Sequence, residues 1–310
     1  MTVSDEAIVE SCRQRYHWTE DRGVSAAEEL SRRLALVRDQ WQFEVVEIFA
    51  EGAGAPVLGV RRGDVGSDGG PAVLKIDLEG LGRDGRRAMM AADGRGYARV
   101  LAHDDAAGAV LLERLGAPLS EAGITAAQQV MIMLDLLLEV WPAVPMSADT
   151  PRPSKGALLA DIVVEHRHRA PDHGRVLVEA ERRARGLDRR GRHPVVVHGD
   201  PHPDNTLRRG TSGWAFVDPD GFAGDASYDV GVTLRDWSPQ ILDIADREGN
   251  SAARAWHEDL VVRVARTASL DPELIADWAF VERVTTALWL AWRGHPEQGE
   301  SWLRAANILM

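Results

Sequence analysis

The densest cluster of reactive side chains is His198-Gly199-Asp200-Pro201-His202-Pro203-Asp204-Asn205, followed thirteen residues after Asn205 by Asp218-Pro219-Asp220. Carboxylates and an amide gathered in this way bind a hard cation such as Mg²⁺ through oxygen, or accept a proton. Asp-Pro and Gly-Asp pairs also form ordinary turns. Acidic and amide groups at the ends of apolar runs exceed what turns require. His198 and His202 have the i,i+4 spacing of a zinc-binding helix, but Pro201 and Pro203 forbid that helix.

The elements that must position these groups follow from periodicity. The apolar run Val195-Val196-Val197 leads to Asp200, and Trp214-Ala215-Phe216-Val217 leads to Asp218, so two strands deliver both acids to one end of a β-loop island. Helices are predicted on either side of this island, at 156–169 and 173–187 before it and at 251–267 and 272–293 after it. Thr125 with Gln128 is a capping-box pattern that opens another helix, which Pro142 stops. Upstream, Leu30, Leu34, Val37 and Trp41 carry helical spacing, and then the period changes to that of strands at 41–48, 56–60, 72–76, 99–103 and 109–114, with one helix near 83–93. This order predicts an α+β fold of two lobes: a β-rich N-lobe over residues 1–115 and a mostly helical C-lobe over 116–310, joined by a short hinge.

Composition narrows the partners. In 310 residues, 48 acids against 36 basic residues give a net charge of −12. A duplex nucleic acid or an anionic membrane surface needs a basic face, so neither is expected as a partner. The single Cys12 suits a reducing cytoplasm, and the first residues lack the basic and apolar regions of a signal peptide, so a cytoplasmic location is expected. Only two of the basic residues are lysines, Lys75 and Lys155. Lys75 lies in the apolar run Val73-Leu74-Lys75-Ile76, where a charged side chain needs a partner or a path to solvent.

The loop pattern resembles that of the aminoglycoside phosphotransferase family of small-molecule kinases: His198-Gly199-Asp200, four residues, Asn205, then Asp218 after an apolar strand, then Gly224-Asp225 and Asp229. The phrases Val73-Leu74-Lys75, Asp93-Gly94-Arg95-Gly96, His103-Asp104 and Leu111-Leu112-Glu113-Arg114-Leu115 resemble in particular the streptomycin 6-phosphotransferase branch, the aminoglycoside and hydroxyurea resistance kinases. The resemblance implies a bilobal protein-kinase-like fold and an ATP- and Mg²⁺-dependent transfer to a hydroxyl of a small molecule, with GTP left open as donor. Asp200 would accept or orient the hydroxyl proton, Asn205 and Asp218 would hold Mg²⁺, and Lys75 would reach the α- and β-phosphates. His198 and Asp229 would support the loop. Gly52 and Gly54, in Glu51-Gly52-Ala53-Gly54-Ala55, would cover the phosphates, and backbone groups from Glu113 to Leu115 would meet the adenine edge. One stretch departs from the family: where it places a Glu on the N-lobe helix to pair with the strand lysine, this chain reads Gly85-Arg86-Arg87-Ala88-Met89-Met90, with arginine where the acid is expected. Asp84, Glu79 and Asp93 are the acids nearest in sequence.

The charge is unevenly distributed. Residues 211–310 hold 16 acids and 8 basic residues, a sum of −8, and in the resembling family this region helps build the acceptor site. A cationic acceptor is therefore expected, a streptomycin-like aminoglycoside first, with Asp220, Asp225, Asp236 and Glu282 as candidate contacts. A kinase for an endogenous sugar, an amino alcohol or another antibiotic is the alternative within enzymes. A nucleotide-binding module without transfer is the alternative of another class. Whether the chain acts as monomer or dimer is left open.

Overall fold

The predicted antiparallel sheet is formed in the computed structural model, which describes residues 2–15, 20–49, 57–63, 70–80 and 82–310. Strands β1 (Phe43–Phe49), β2 (Val57–Arg62), β3 (Pro71–Ile76), β4 (Val100–Asp104) and β5 (Ala109–Glu113) form one sheet in the order β1-β2-β3-β5-β4. Helices α1 (Asp5–Arg15) and α2 (Glu20–Trp41) bury Ile8, Leu30, Leu34 and Val37 with Val45, Leu58, Leu74 and Leu111 of the sheet. Gly52 and Gly54 lie outside the described residues.

Helix α3 (Arg83–Ala92) contributes Ala88, Met89 and Ala92 to a second core that also takes Val110 and Leu112 of β5 and Val130, Leu134 and Leu137 of α4 (Ala126–Val140). One apolar body thus joins the sheet to the helical region, so α3 and β5 are packed on the scaffold that carries the acidic loops. The capping box at α4 is formed: Gln128 N donates to Thr125 Oγ1 at 3.3 Å, and Thr125 N donates to Gln128 Oε1 at 2.9 Å.

Beyond α4 come α5 (Lys155–His166) and α6 (Gly174–Leu187), then the island: β6 (Pro194–Val196), β7 (Thr206–Arg209), β8 (Gly213–Phe216) and β9 (Ala223–Asp225). The island forms two small ribbons, β6 with β9 and β7 with β8. Strand β9 has no apolar alternation and exists through its pairing with β6, which is why sequence periodicity misses it. Helices α7 (Ala226–Thr233), α8 (Ser238–Glu248), α9 (Asn250–Ala268), α10 (Pro272–Trp292) and α11 (Pro296–Ile308) complete the chain. Every residue of α7 is buried, so it shows no polar face from which a helical period could be read. The fold is bilobal and protein-kinase-like, with the β-loop island facing the sheet.

Candidate active site

The loop after β6 is built on Asp229, which is fully buried in α7. Its carboxylate accepts from His198 N at 2.8 Å, from Gly199 N at 2.9 Å and from the Trp141 indole at 2.9 Å. Burial pushes this carboxyl up to about 6, against the hydrogen bonds that favour its charged form. Gly199, at φ +95, turns the chain where a side chain would be strained. His198 is buried edge-on to Phe216; its Nε2 lies 3.1 Å from the Val217 carbonyl, and its Nδ1 lies 3.2 Å from Asp200 N. These partners select the tautomer protonated on Nε2, and burial holds the ring neutral, at about 4.

Asp200 emerges from this support into the cleft. One of its oxygens faces Arg235 Nη2 at 2.8 Å and the other faces His202 Nε2 at 3.5 Å. Desolvation in the cleft acts to raise this carboxyl, but the charge of Arg235 and its hydrogen bond outweigh it and hold Asp200 at about 2. Pro203 starts a 3-10 turn through Asn205, whose Nδ2 donates to the Asp200 carbonyl at 3.1 Å. With its nitrogen engaged, the amide oxygen is the donor atom Asn205 has for a metal. Val217 N donates to the Asn205 carbonyl at 2.9 Å, so the loop containing Asn205 and the segment leading to Asp218 are tied together.

Asp218 is half-exposed and adopts a left-handed backbone, φ +61, which is uncommon outside glycine. Its carboxylate pairs with the Lys75 ammonium, which β3 brings across from the sheet. On α3, the one acid, Asp84, pairs with Arg87 at 3.4 Å, and buried Arg86 turns to Asp105 at 2.7 Å. A carboxylate and an amide oxygen are hard donors that suit Mg²⁺, which keeps waters and phosphate oxygens in its other positions. Among the described residues no three His, Cys, Asp or Glu side chains cluster as a self-sufficient metal site.

Of the candidate acceptor contacts, Asp220 opens into the cleft, its backbone N bonded to the His198 carbonyl at 2.6 Å. Desolvation raises its carboxyl to about 6, moderated by the charge of Lys155. Asp236 accepts from Arg235 Nε at 2.9 Å, and Glu282 is buried, 3.7 Å from Arg235 Nη1 and 2.9 Å from the Tyr228 hydroxyl. Both therefore face an internal cation. Asp225 corrects the expectation: its carboxylate caps α7, accepting from Ser227 N at 2.9 Å and from His193 N at 2.7 Å, so it serves local structure and not an acceptor. At the end of β5, the Glu113 carboxylate is engaged by Arg99 N and Arg209 while Leu115 packs on the core, so both side chains are committed to the fold.

Sequence reading missed Arg235 and the placement of Lys155. Lys155 Nζ stands 5.6 Å from the Phe222 ring centre and 5.2 Å from that of Tyr228. The scarcity of lysine was the available signal for Lys155; Arg235 had none.

The fold, with an acidic loop facing a strand lysine, defines a small-molecule kinase, a phosphotransferase acting on alcohol groups. Within that class, the chain belongs to the aminoglycoside/hydroxyurea antibiotic resistance kinase family, whose model matches residues 40–294. It is 30% identical over 241 residues to the streptomycin 3''-kinase of Klebsiella pneumoniae, covering 75% of this chain and 83% of that one. It is 29% identical over 263 residues to the streptomycin 6-kinase of Streptomyces glaucescens, covering 81% and 80%. Among solved structures it resembles an aminoglycoside phosphotransferase in ternary complex with ADP and hygromycin B, with a TM-score of 0.57 and 14% identity over 89% of this chain and 96% of that one.

Proposed function

We propose that this protein transfers the γ-phosphoryl group of ATP, with Mg²⁺, to a hydroxyl of a cationic, streptomycin-like aminoglycoside, and so confers resistance to it. The observation that carries the reading is Asp200, ionised in the cleft between Arg235 and His202. Both relatives described above act on streptomycin by name but at different positions, so the drug is the common element and the position is not assigned.

In this reading the acceptor hydroxyl oxygen forms the new bond to the γ-phosphorus, the bond to the β,γ-bridging oxygen breaks, and the hydroxyl proton leaves by way of Asp200. A carboxylate held near 2 is a weak base. It therefore orients the hydroxyl and takes up its proton late, as a loose phosphoryl-transfer transition state requires. Lys75 would move from Asp218 to the α- and β-phosphates, and Asn205 and Asp218 would hold Mg²⁺, which neutralises phosphate charge when bound. Asp220 is the open acid for a cationic group of the acceptor.

The test is ATP consumption by the purified chain over a panel of aminoglycosides, sugars and amino alcohols, with GTP as a second donor. Streptomycin-dependent turnover is expected, and Asp200→Ala is expected to lose transfer while still binding nucleotide. Turnover retained in that variant would remove Asp200 from its role.

A further inference from the structure

Helix α3 and the Asp218-Pro219-Asp220-Gly221 loop meet backbone to backbone. A Cβ on Gly85 would collide with the Pro219 carbonyl oxygen and sit 2.8 Å from its carbon. The contact is reciprocal: a Cβ on Gly221, itself at φ +73, would collide with the Asp84 carbonyl oxygen and lie 2.8 Å from Gly85 N. On its other side the loop rests on Gly199, where a Cβ would lie 2.6 Å from Asp220 Cβ. The start of α3 is itself anchored, because the Asp77 carboxylate accepts from Glu79 N at 3.1 Å, Gly80 N at 2.9 Å and Gly82 N at 2.7 Å.

We propose that Gly85 is a positioning residue: its backbone contact with Pro219 and Gly221 seats the loop that presents Asp218, in place of the lysine–glutamate pair that couples helix to strand in related kinases. The proposal rests on the assignment of Asp218 to the metal and nucleotide made above. Any side chain at position 85 would have to push α3 off the loop by roughly 1–2 Å to reach ordinary van der Waals separation. A helix acid at this point of contact and the observed seat are therefore mutually exclusive. Lys75, with no carboxylate partner from α3 among the described residues, is free to pair with Asp218. The coupling moves from a side-chain ion pair to van der Waals contact between main chains.

Two variants test this, Gly85→Ala and Gly85→Glu, the second placing a long charged side chain at the contact. Each is expected to weaken binding of Mg²⁺ with the non-hydrolysable analogue AMP-PNP by about tenfold or more in calorimetry, and to lower kcat/KM for ATP by about 100-fold, as a misplaced catalytic group does. The KM for the acceptor is expected to rise as well, because the same loop carries Asp220. Gly85→Glu matching the parent in nucleotide binding would overturn the proposal, as would an unchanged Gly85→Ala. Should either variant fail to fold, Lys75→Met decides: hydrogen exchange of the α3 amides is expected to match the parent, whereas deprotection of α3 would show that the lysine holds the helix. Binding and exchange need no acceptor, so they remain readable even if no acceptor supports turnover.

Discussion

Arg235 Nη2 lies 2.8 Å from Asp200 Oδ1, and the same guanidinium reaches Asp236 at 2.9 Å and Glu282 at 3.7 Å. A nearly buried cation thus sits among three acids at the cleft floor. It fixes one oxygen of Asp200 and leaves the other towards His202. Such a pair is strongly directional, because the guanidinium and carboxylate are both ionised and partly desolvated.

Replacing Arg235 by Met removes the positive charge that favours ionised Asp200, so the carboxyl rises from about 2 towards the ordinary range. The acid limb of the kcat/KM profile is expected to shift to higher pH, with kcat near neutrality about 100-fold lower because Asp200 loses its fixed orientation. Steady-state kinetics from pH 4 to 8 check both. An unmoved acid limb would separate Arg235 from Asp200.

Asp229→Asn tests the support beneath the loop. Burial keeps the native carboxyl protonated up to about 6, above its ordinary value of 3.8, so the stability from this group is present below that value and lost as pH rises through 6. Chemical denaturation of the parent should show a decline of roughly 2–3 kcal/mol from this group across that window, absent in Asp229→Asn. The variant is also expected to lose most turnover, since an amide cannot accept from His198 N, Gly199 N and Trp141 together.

What sequence could reveal of this site depends on whether the signal is local. Asp200, Asn205 and Asp218 stand at fixed spacing after apolar strands, so both the strands and the residues at their ends were legible. Arg235 becomes a neighbour of Asp200 only because α7, buried on all sides, returns the chain to the loop, and one arginine among 34 carries no spacing signal. Asp225 was misread because counting regional charge ignores hydrogen bonding; an Asp just before a helix is a cap first. Gly85 carried no signal in the sequence, where the departure from the family's acid falls on an arginine beside it. That its missing side chain is what allows α3 to touch Pro219 required coordinates.

The contrast between Asp225 and Asp220 is testable. Asp225→Ala removes the α7 cap and should cost about 1 kcal/mol in denaturant unfolding while leaving the acceptor KM unchanged. Asp220→Asn should instead raise the KM for a cationic acceptor about tenfold, the loss of a hydrogen bond to a charged group, with the KM for ATP much less affected. Equal effects of the two variants on acceptor KM would remove the distinction.

Both lysines of the chain act on the Asp218-Pro219-Asp220 loop, Lys75 by pairing with Asp218 and Lys155 through its charge on Asp220. Asp220 stands at about 6 even with Lys155 present, so near neutrality its ionisation is sensitive to that charge. Removing a cation favours the neutral acid. In Lys155→Met the Asp220 carboxyl should rise further, a larger fraction should be protonated at neutral pH, and a cationic acceptor should bind less tightly. The acceptor KM is therefore expected to rise several-fold near pH 6.5 and to approach the parent value by about pH 8.5, where the carboxylate is restored. A KM that rises equally at both pH values would show that Lys155 acts through packing on Phe222 and Tyr228 and not through its charge.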